Sequence, residues 1–410
     1  MKSRMIGQWG ALKGVRPMTI LLAMLAAAAS PASQPITVIG QRLPDLQATL
    51  RACVTRNCPT DEDIDASLAV AEAQIIDGDY RAARRTLLSS LGRNRHAAKA
   101  YPIPVSDLYR ANGRVAAHLG VDDDYYRSTW GIYRTLKEGL PDEKYRHYSA
   151  MMEVAEMMGR TRKHERARLY YERIADAARR DGREDIAALA ELRRVLRHFP
   201  PYLRESAVRD ILARSNPKLR APVLEGKLAL ARMAYEKKDE AKGDAIVAEL
   251  AQLKIRKPIL VYAPPYDLGD SATDNLELPS ATHGGMGGTF TPGVQGAAEK
   301  FGAASFSTSR TALNVEDMWI DVAFTITPQG RVQGLEVQRS KGSQSWAHPL
   351  LRSIHGRRYT PAQAGSKAAY RRERYTFTSA LEPGSATKAK RHSPNARVEY
   401  FDLTDISSTD

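Results

Sequence analysis

Ile320, Val322, Phe324 and Ile326 fall on every second position after Met318, and this two-residue period constrains the fold more than any other feature of the chain. Such alternation describes a strand with one face against a core. Pro328-Gln329-Gly330-Arg331 follows and suits a tight turn, because proline presets φ and glycine tolerates positive φ. Leu335 and Val337 then alternate on a returning strand. Trp346, Leu350, Leu351 and Ile354 have helical spacing, and Tyr375 with Phe377 marks a third alternating strand. The pattern predicts a small β-β-α-β domain over residues 316–380.

The order and the residue choices resemble the C-terminal domain of the TonB family, periplasmic proteins that engage outer-membrane transporters. The likeness rests on the alternating first strand and on Thr-Pro-Gln-Gly-Arg-Val at Thr327 to Val332. It continues in Val337-Gln-Arg-Ser-Lys-Gly342, a helix running into Arg358-Tyr359-Thr360-Pro361-Ala362, and the aromatic last strand. The resemblance implies binding of an extended peptide by strand addition, in which an open sheet edge supplies backbone hydrogen bonds and alternating side chains supply selectivity. The last strand, Arg371 to Ser379, is the edge expected to do this. Tyr375 and Phe377 are expected to face inward, against Ile354 and Val322. Arg372, Arg374, Thr376 and Thr378 then face the other way and read the incoming segment, although Arg372 and Arg374 taken singly serve equally well as solubilising charges on an edge strand.

Ahead of this domain the pattern is helical. Pro44 to Ala52 predicts a first helix, and Pro59 to Asp63 starts a second, with acids where the positive end of the helix dipole lies. From Asp65 the apolar spacing comes in pairs broken by turns such as Gly78-Asp79-Tyr80 and Gly120, with small Ala71 opposite Ala83 and, in a later pair, Ala167 and Tyr171 in matching places. This resembles degenerate tetratricopeptide repeats, which stack hairpins into a solenoid with a continuous core and a concave face. The predicted fold class is therefore α+β: an all-α, TPR-like array over 65–256, a Gly/Ser-rich linker over 257–315, the 316–380 domain, and a 381–410 tail with a short strand at Val398 to Leu403. His283 to Gly288 is a glycine cluster without the lysine and helix that a phosphate loop needs, so it reads as linker.

Lys2, Arg4, Lys13 and Arg16 precede the apolar run Met18 to Ala29, and Ser30-Pro31-Ala32-Ser33 offers a small-residue exit. Residues 1–33 therefore read as a cleaved secretory signal peptide, with a retained inner-membrane anchor as the alternative; a membrane span needs about 20 apolar residues. Residues 34–64 hold the chain's two cysteines, Cys53 and Cys58. Five residues apart on one helix they are too distant to bond, but a helix ending near Cys53 and a turn through Thr55-Arg56-Asn57 let them meet as a disulfide, as an oxidising compartment favours. The alternative is two free thiols.

No nucleophile, base or metal-ligand set assembles from these residues: His164-Glu165 lacks a second histidine, and Asp122-Asp123-Asp124 reads as a helix start rather than a cation site. The expectation is no enzyme, no cofactor and no metal. A formal charge of +14 in an exported protein points to anionic envelope components rather than nucleic acid. The expected function is a periplasmic adaptor that binds envelope or outer-membrane proteins, including the N-terminal segments of outer-membrane receptors. Energy transduction is the alternative; the short Gly/Ser-rich spacer and the absence of a full-length, histidine-bearing anchor depart from what the family uses for it. A repeat-based envelope assembly factor is the second alternative, and nothing in the sequence sets the oligomeric state.

Overall fold

The computed structural model describes residues 42–217, 219–251, 257–266, 286–287, 318–361, 368–383 and 390–404. The signal segment and most of the linker lie outside the described residues, as do positions 384–389 and 405–410 of the tail. Among the described residues the chain is mostly helical with a sheet-bearing C-terminal region, an α+β protein, and no helix is long and apolar enough to cross a membrane.

The helices are α1 (Leu43–Thr55), α2 (Thr60–Ile76), α3 (Tyr80–Asn94), α4 (Pro102–His118), α5 (Asp122–Gly139) and α6 (Lys144–Arg160). They continue with α7 (His164–Arg180), α8 (Glu184–His198), α9 (Pro201–Arg214), α10 (Arg220–Glu236) and α11 (Glu240–Ala251). Their ends follow a local rule. Asn57, Gly78, Gly120, Arg162, Gly182 and Lys238 each adopt positive φ just past a helix. In each case the next N–H reaches back to the carbonyl five residues earlier, as in Asp79 to Gln74 (2.8 Å) and Val121 to Ala116 (2.8 Å). This closure satisfies carbonyls that the helix end would otherwise leave open and reverses the chain. It also explains the disulfide. Cys58 N–H bonds to Cys53 O (3.1 Å) around Asn57, which brings the Cα atoms to 5.1 Å, and the two sulfurs are joined.

Successive helices pack on one another along the chain, and α2 also meets α4 while α8 meets α10. Ala71 and Ala83 are both buried in one cluster with Tyr80, Leu87 and Leu108. Four arginines of α7 and α8 have acid partners among the described residues: Arg168 bonds Glu165 and Glu172, Arg179 bonds Asp176 and Glu191, Arg194 bonds Glu172, and Arg193, itself buried, lies between Glu156 (3.0 Å) and Glu225 (3.2 Å).

After the array come β1 (Leu260–Tyr262), β2 (Met286–Gly287), β3 (Trp319–Ile326), β4 (Val332–Lys341), α12 (Ala347–His355), β5 (Arg358–Tyr359), β6 (Ala369–Pro383) and β7 (Lys390–Asp402). The main sheet has the order β2-β7-β6-β3-β4, and β1 pairs with β5 in a separate two-stranded ribbon. Ile320, Val322, Phe324, Ile326, Tyr375 and Phe377 all face one side, where they bury against Trp346, Leu350 and Ile354 around α12. The hairpin turn holds Gly330 at φ 77°, with Gly330 N–H bonded to Thr327 O at 2.8 Å.

Two expectations are corrected here. The expected tail strand is thirteen residues long and belongs to the main sheet. In consequence β6 is interior: it pairs antiparallel with β3 on one side and with β7 on the other, so Arg371 to Ser379 is not an edge.

Candidate functional site

The face of the sheet opposite α12 carries Trp319 and Asp321 on β3, Arg374 and Thr376 on β6, and Arg397 and Glu399 on β7. In a free sheet this polar alternation would meet water. Here it meets the helical array, at the tips of three consecutive hairpins.

At the first tip, Arg374 is fully buried and forks onto Asp321, with Nε–Oδ1 at 2.5 Å and Nη2–Oδ2 at 2.9 Å. The same guanidinium donates to the carbonyls of Ile75 and Ile76, the last residues of α2 (Nη2 to Ile76 O, 2.8 Å). Arg339 on β4 also reaches Asp321 (2.7 Å) and Ile76 O (2.8 Å). Two arginines therefore neutralise one buried acid and close the negative end of a helix. Trp319 lies against Gly78, and the Arg374 guanidinium stands 4.0 Å from its ring centre. Next along β6, the Thr376 hydroxyl contacts Tyr80 Oη (3.0 Å) and His118 Nδ1 (2.9 Å), and the Tyr80 and His118 rings stack at 4.9 Å. Burial pushes the His118 imidazole down to about 4, aided by the nearby arginines, so it sits there neutral.

At the second tip, Arg397 bonds Asp122 (2.9 Å) at the start of α5 and Ala117 O (3.2 Å) at the end of α4. The Leu381 N–H bonds Gly120 O at 2.8 Å. At the third, Arg160 in the last turn of α6 reaches Glu399 at 2.5 Å. Burial alone would raise the Glu399 carboxyl, but Arg160 and Arg397 hold it below the usual carboxylate range.

Of the residues expected to read a guest, Arg374, Thr376 and Thr378 are buried, and Arg372 reaches towards Asp321 (3.7 Å). Tyr375 and Phe377 do face the core as expected. Tyr375 Oη there joins Arg357 (2.6 Å) and Glu373 in a buried network that Tyr400 completes from β7. Sequence reading missed Asp321, Glu399, Arg357 and His118. The one available signal was Asp321 itself, an acid inside an otherwise apolar strand.

The open edge lies at the other end of the sheet. Among the described residues β4 pairs only with β3. Its residues Glu336, Val337, Gln338, Ser340 and Lys341 are exposed, and Tyr370 stands half-exposed beside them, its hydroxyl 3.2 Å from Gln338 Nε2.

No model of a known protein family matches the chain, and no curated protein matches it. Among solved structures, BtubC (BKLC) from P. vanneervenii aligns at 15% identity with a TM-score of 0.38, covering 52% of this chain and 89% of that one.

Proposed function

We propose that this chain is a non-enzymatic adaptor of the cell envelope, exported to the periplasm, which takes an extended segment of a partner protein as an added strand on β4. In this reading β3, β4, α12 and β6 form a TonB-like domain, and α2 to α11 form a tetratricopeptide-like scaffold. The carrying observation is the outer side of β4, whose backbone groups beyond Gly334 have no strand beside them among the described residues. Each backbone hydrogen bond a guest adds contributes about 1 kcal/mol net, so a short segment binds only if its side chains also find neighbours. Val337 and Tyr370 are exposed apolar neighbours for it, and Glu336 and Lys341 are charged ones. N-terminal segments of outer-membrane receptors are the guests that the family resemblance suggests.

The burial of β6 against the hairpin tips supports a second reading, in which sheet and array act together as an envelope assembly factor. Deleting everything after Pro258 does not separate the two, because Trp319, Phe401 and Leu403 share a core with Ile64, Leu87 and Leu108. A photocrosslinking side chain at Val337 does. On the full-length chain it should capture receptor-derived peptides, whereas the same group at exposed Tyr202 should not, and N-methylation of alternate guest amides should abolish capture. Equal capture at both positions, or none at high peptide concentration, refutes strand addition at β4.

A further inference from the structure

A second surface lies between α5 and α7, away from the sheet edge. Tyr126, Trp130 and Tyr133 recur along α5 at the spacing of one helix face, all half-buried, and Tyr170 on α7 meets Trp130 edge-on at 5.9 Å. Ring centres along the row are 6.4 and 5.9 Å apart. Cations stand over three of the rings: Lys163 at 4.4 Å from Tyr126, Lys137 at 5.7 Å from Tyr133, and Arg173 at 5.9 Å from Tyr170. Arg127 and Arg134 adjoin the row on α5, and Arg166 lies one turn before Tyr170 on α7. All six cations are exposed, and none forms an ion pair among the described residues. The acids nearest in sequence are Asp124, Glu138, Glu165 and Glu172; Asp124 already holds Arg84, Glu165 holds Arg168, and Glu172 holds Arg168 and Arg194. The surface is thus aromatic at its floor and carries uncompensated positive charge above it.

We propose that this surface binds an acidic peptide segment of a partner protein. Charge complementarity selects an anion, and the ring geometry selects its class. Neighbouring rings are tilted by 58°, 76° and 71°, so they offer no coplanar ladder for nucleobases or sugars. The aromatics are half-buried rather than projecting, which gives little to insert into a bilayer. An extended peptide instead presents same-side residues about 6.5 Å apart, close to the spacing of the row. Its apolar side chains then lie on the rings while its carboxylates meet Lys163, Arg166 and Arg173.

The test uses the full-length chain and a fluorescent peptide in which glutamate alternates with phenylalanine. Comparison arms are the same peptide with lysine for glutamate, phosphatidylglycerol vesicles and a single-stranded oligonucleotide. The acidic peptide alone should bind. The double reversal Lys163→Glu with Arg166→Glu should weaken it about tenfold, while Arg51→Glu on α1 leaves it unchanged and circular dichroism confirms that both variants are folded. Trp130→Phe, which keeps an apolar ring in place, should retain most of the binding. Indifference to the double reversal overturns the proposal, as does reversal-sensitive binding of vesicles or oligonucleotide without the peptide. Because Val337 lies on a different surface, failure here leaves the β4 test standing, and the reverse holds too.

Discussion

Replacing Arg374 with methionine separates a residue that holds the sheet to the helices from one that reads a guest. The change keeps an apolar stem of similar reach and removes the guanidinium. Four hydrogen bonds go with it: two to Asp321 and one each to Ile75 O and Ile76 O. Asp321 is fully buried and keeps only Arg339 and the more distant Arg372. Breaking a buried pair from one side typically costs about 3–5 kcal/mol. Arg339 still neutralises Asp321, which limits the loss, but it already uses its own bond to Ile76 O and cannot replace the bond to Ile75 O. The expected loss is therefore about 3 kcal/mol, towards the lower end of that range. Arg374→Lys keeps the charge but not the planar fork and should fall between the two. Urea denaturation followed by circular dichroism reads the difference. A loss below about 1 kcal/mol, the range of an exposed ion pair, refutes the claim that Arg374 joins the two layers.

Two further outcomes test the same junction. Gly120 and Gly182 both have positive φ, but a Cβ at Gly120 would strike the Ser379 carbonyl, whereas one at Gly182 meets nothing within 4 Å. Gly182→Ala should cost about 1–2 kcal/mol for the backbone alone, and Gly120→Ala clearly more; equal melting temperatures for the two variants contradict docking at that tip. His118 has its imidazole depressed by burial from 6.5 to about 4, so the unfolded chain takes up the proton first. Its contribution is complete above pH 6.5 and is lost as pH falls from there to about 4, worth about 3 kcal/mol in all. His118→Gln should flatten that limb of the pH–stability curve, and an unchanged acid limb disproves the assignment.

The helices were legible because their boundaries are written locally. Acids stand in the first turns of α2, α5 and α8, and a glycine or other left-handed residue follows each of several ends. The apolar face of β3 was legible for the same reason. The edge was not. Lys390 to Arg397 is polar, basic and broken by Pro394, so it resembles a loop, and its extended form comes from pairing with β6 rather than from its own propensity. The outward side of β6 misled for a related cause. Arginine and threonine at alternate positions look the same whether they meet water or the carbonyl ends of helices, and only tertiary contact decides which.

The sheet grips the array near its beginning, at the turns after α2, α4 and α6, while β1 lies on α10 near its end. There Arg232 bonds Val261 O (3.1 Å) and Tyr235 stacks on Tyr262. Thr360 N–H, just past β5, bonds Ile259 O at 2.8 Å and fastens that end back to the C-terminal layer. The row of helices is thus clasped by the C-terminal layer at both ends, and any change in the spacing of its helices would have to break the bonds at one of them.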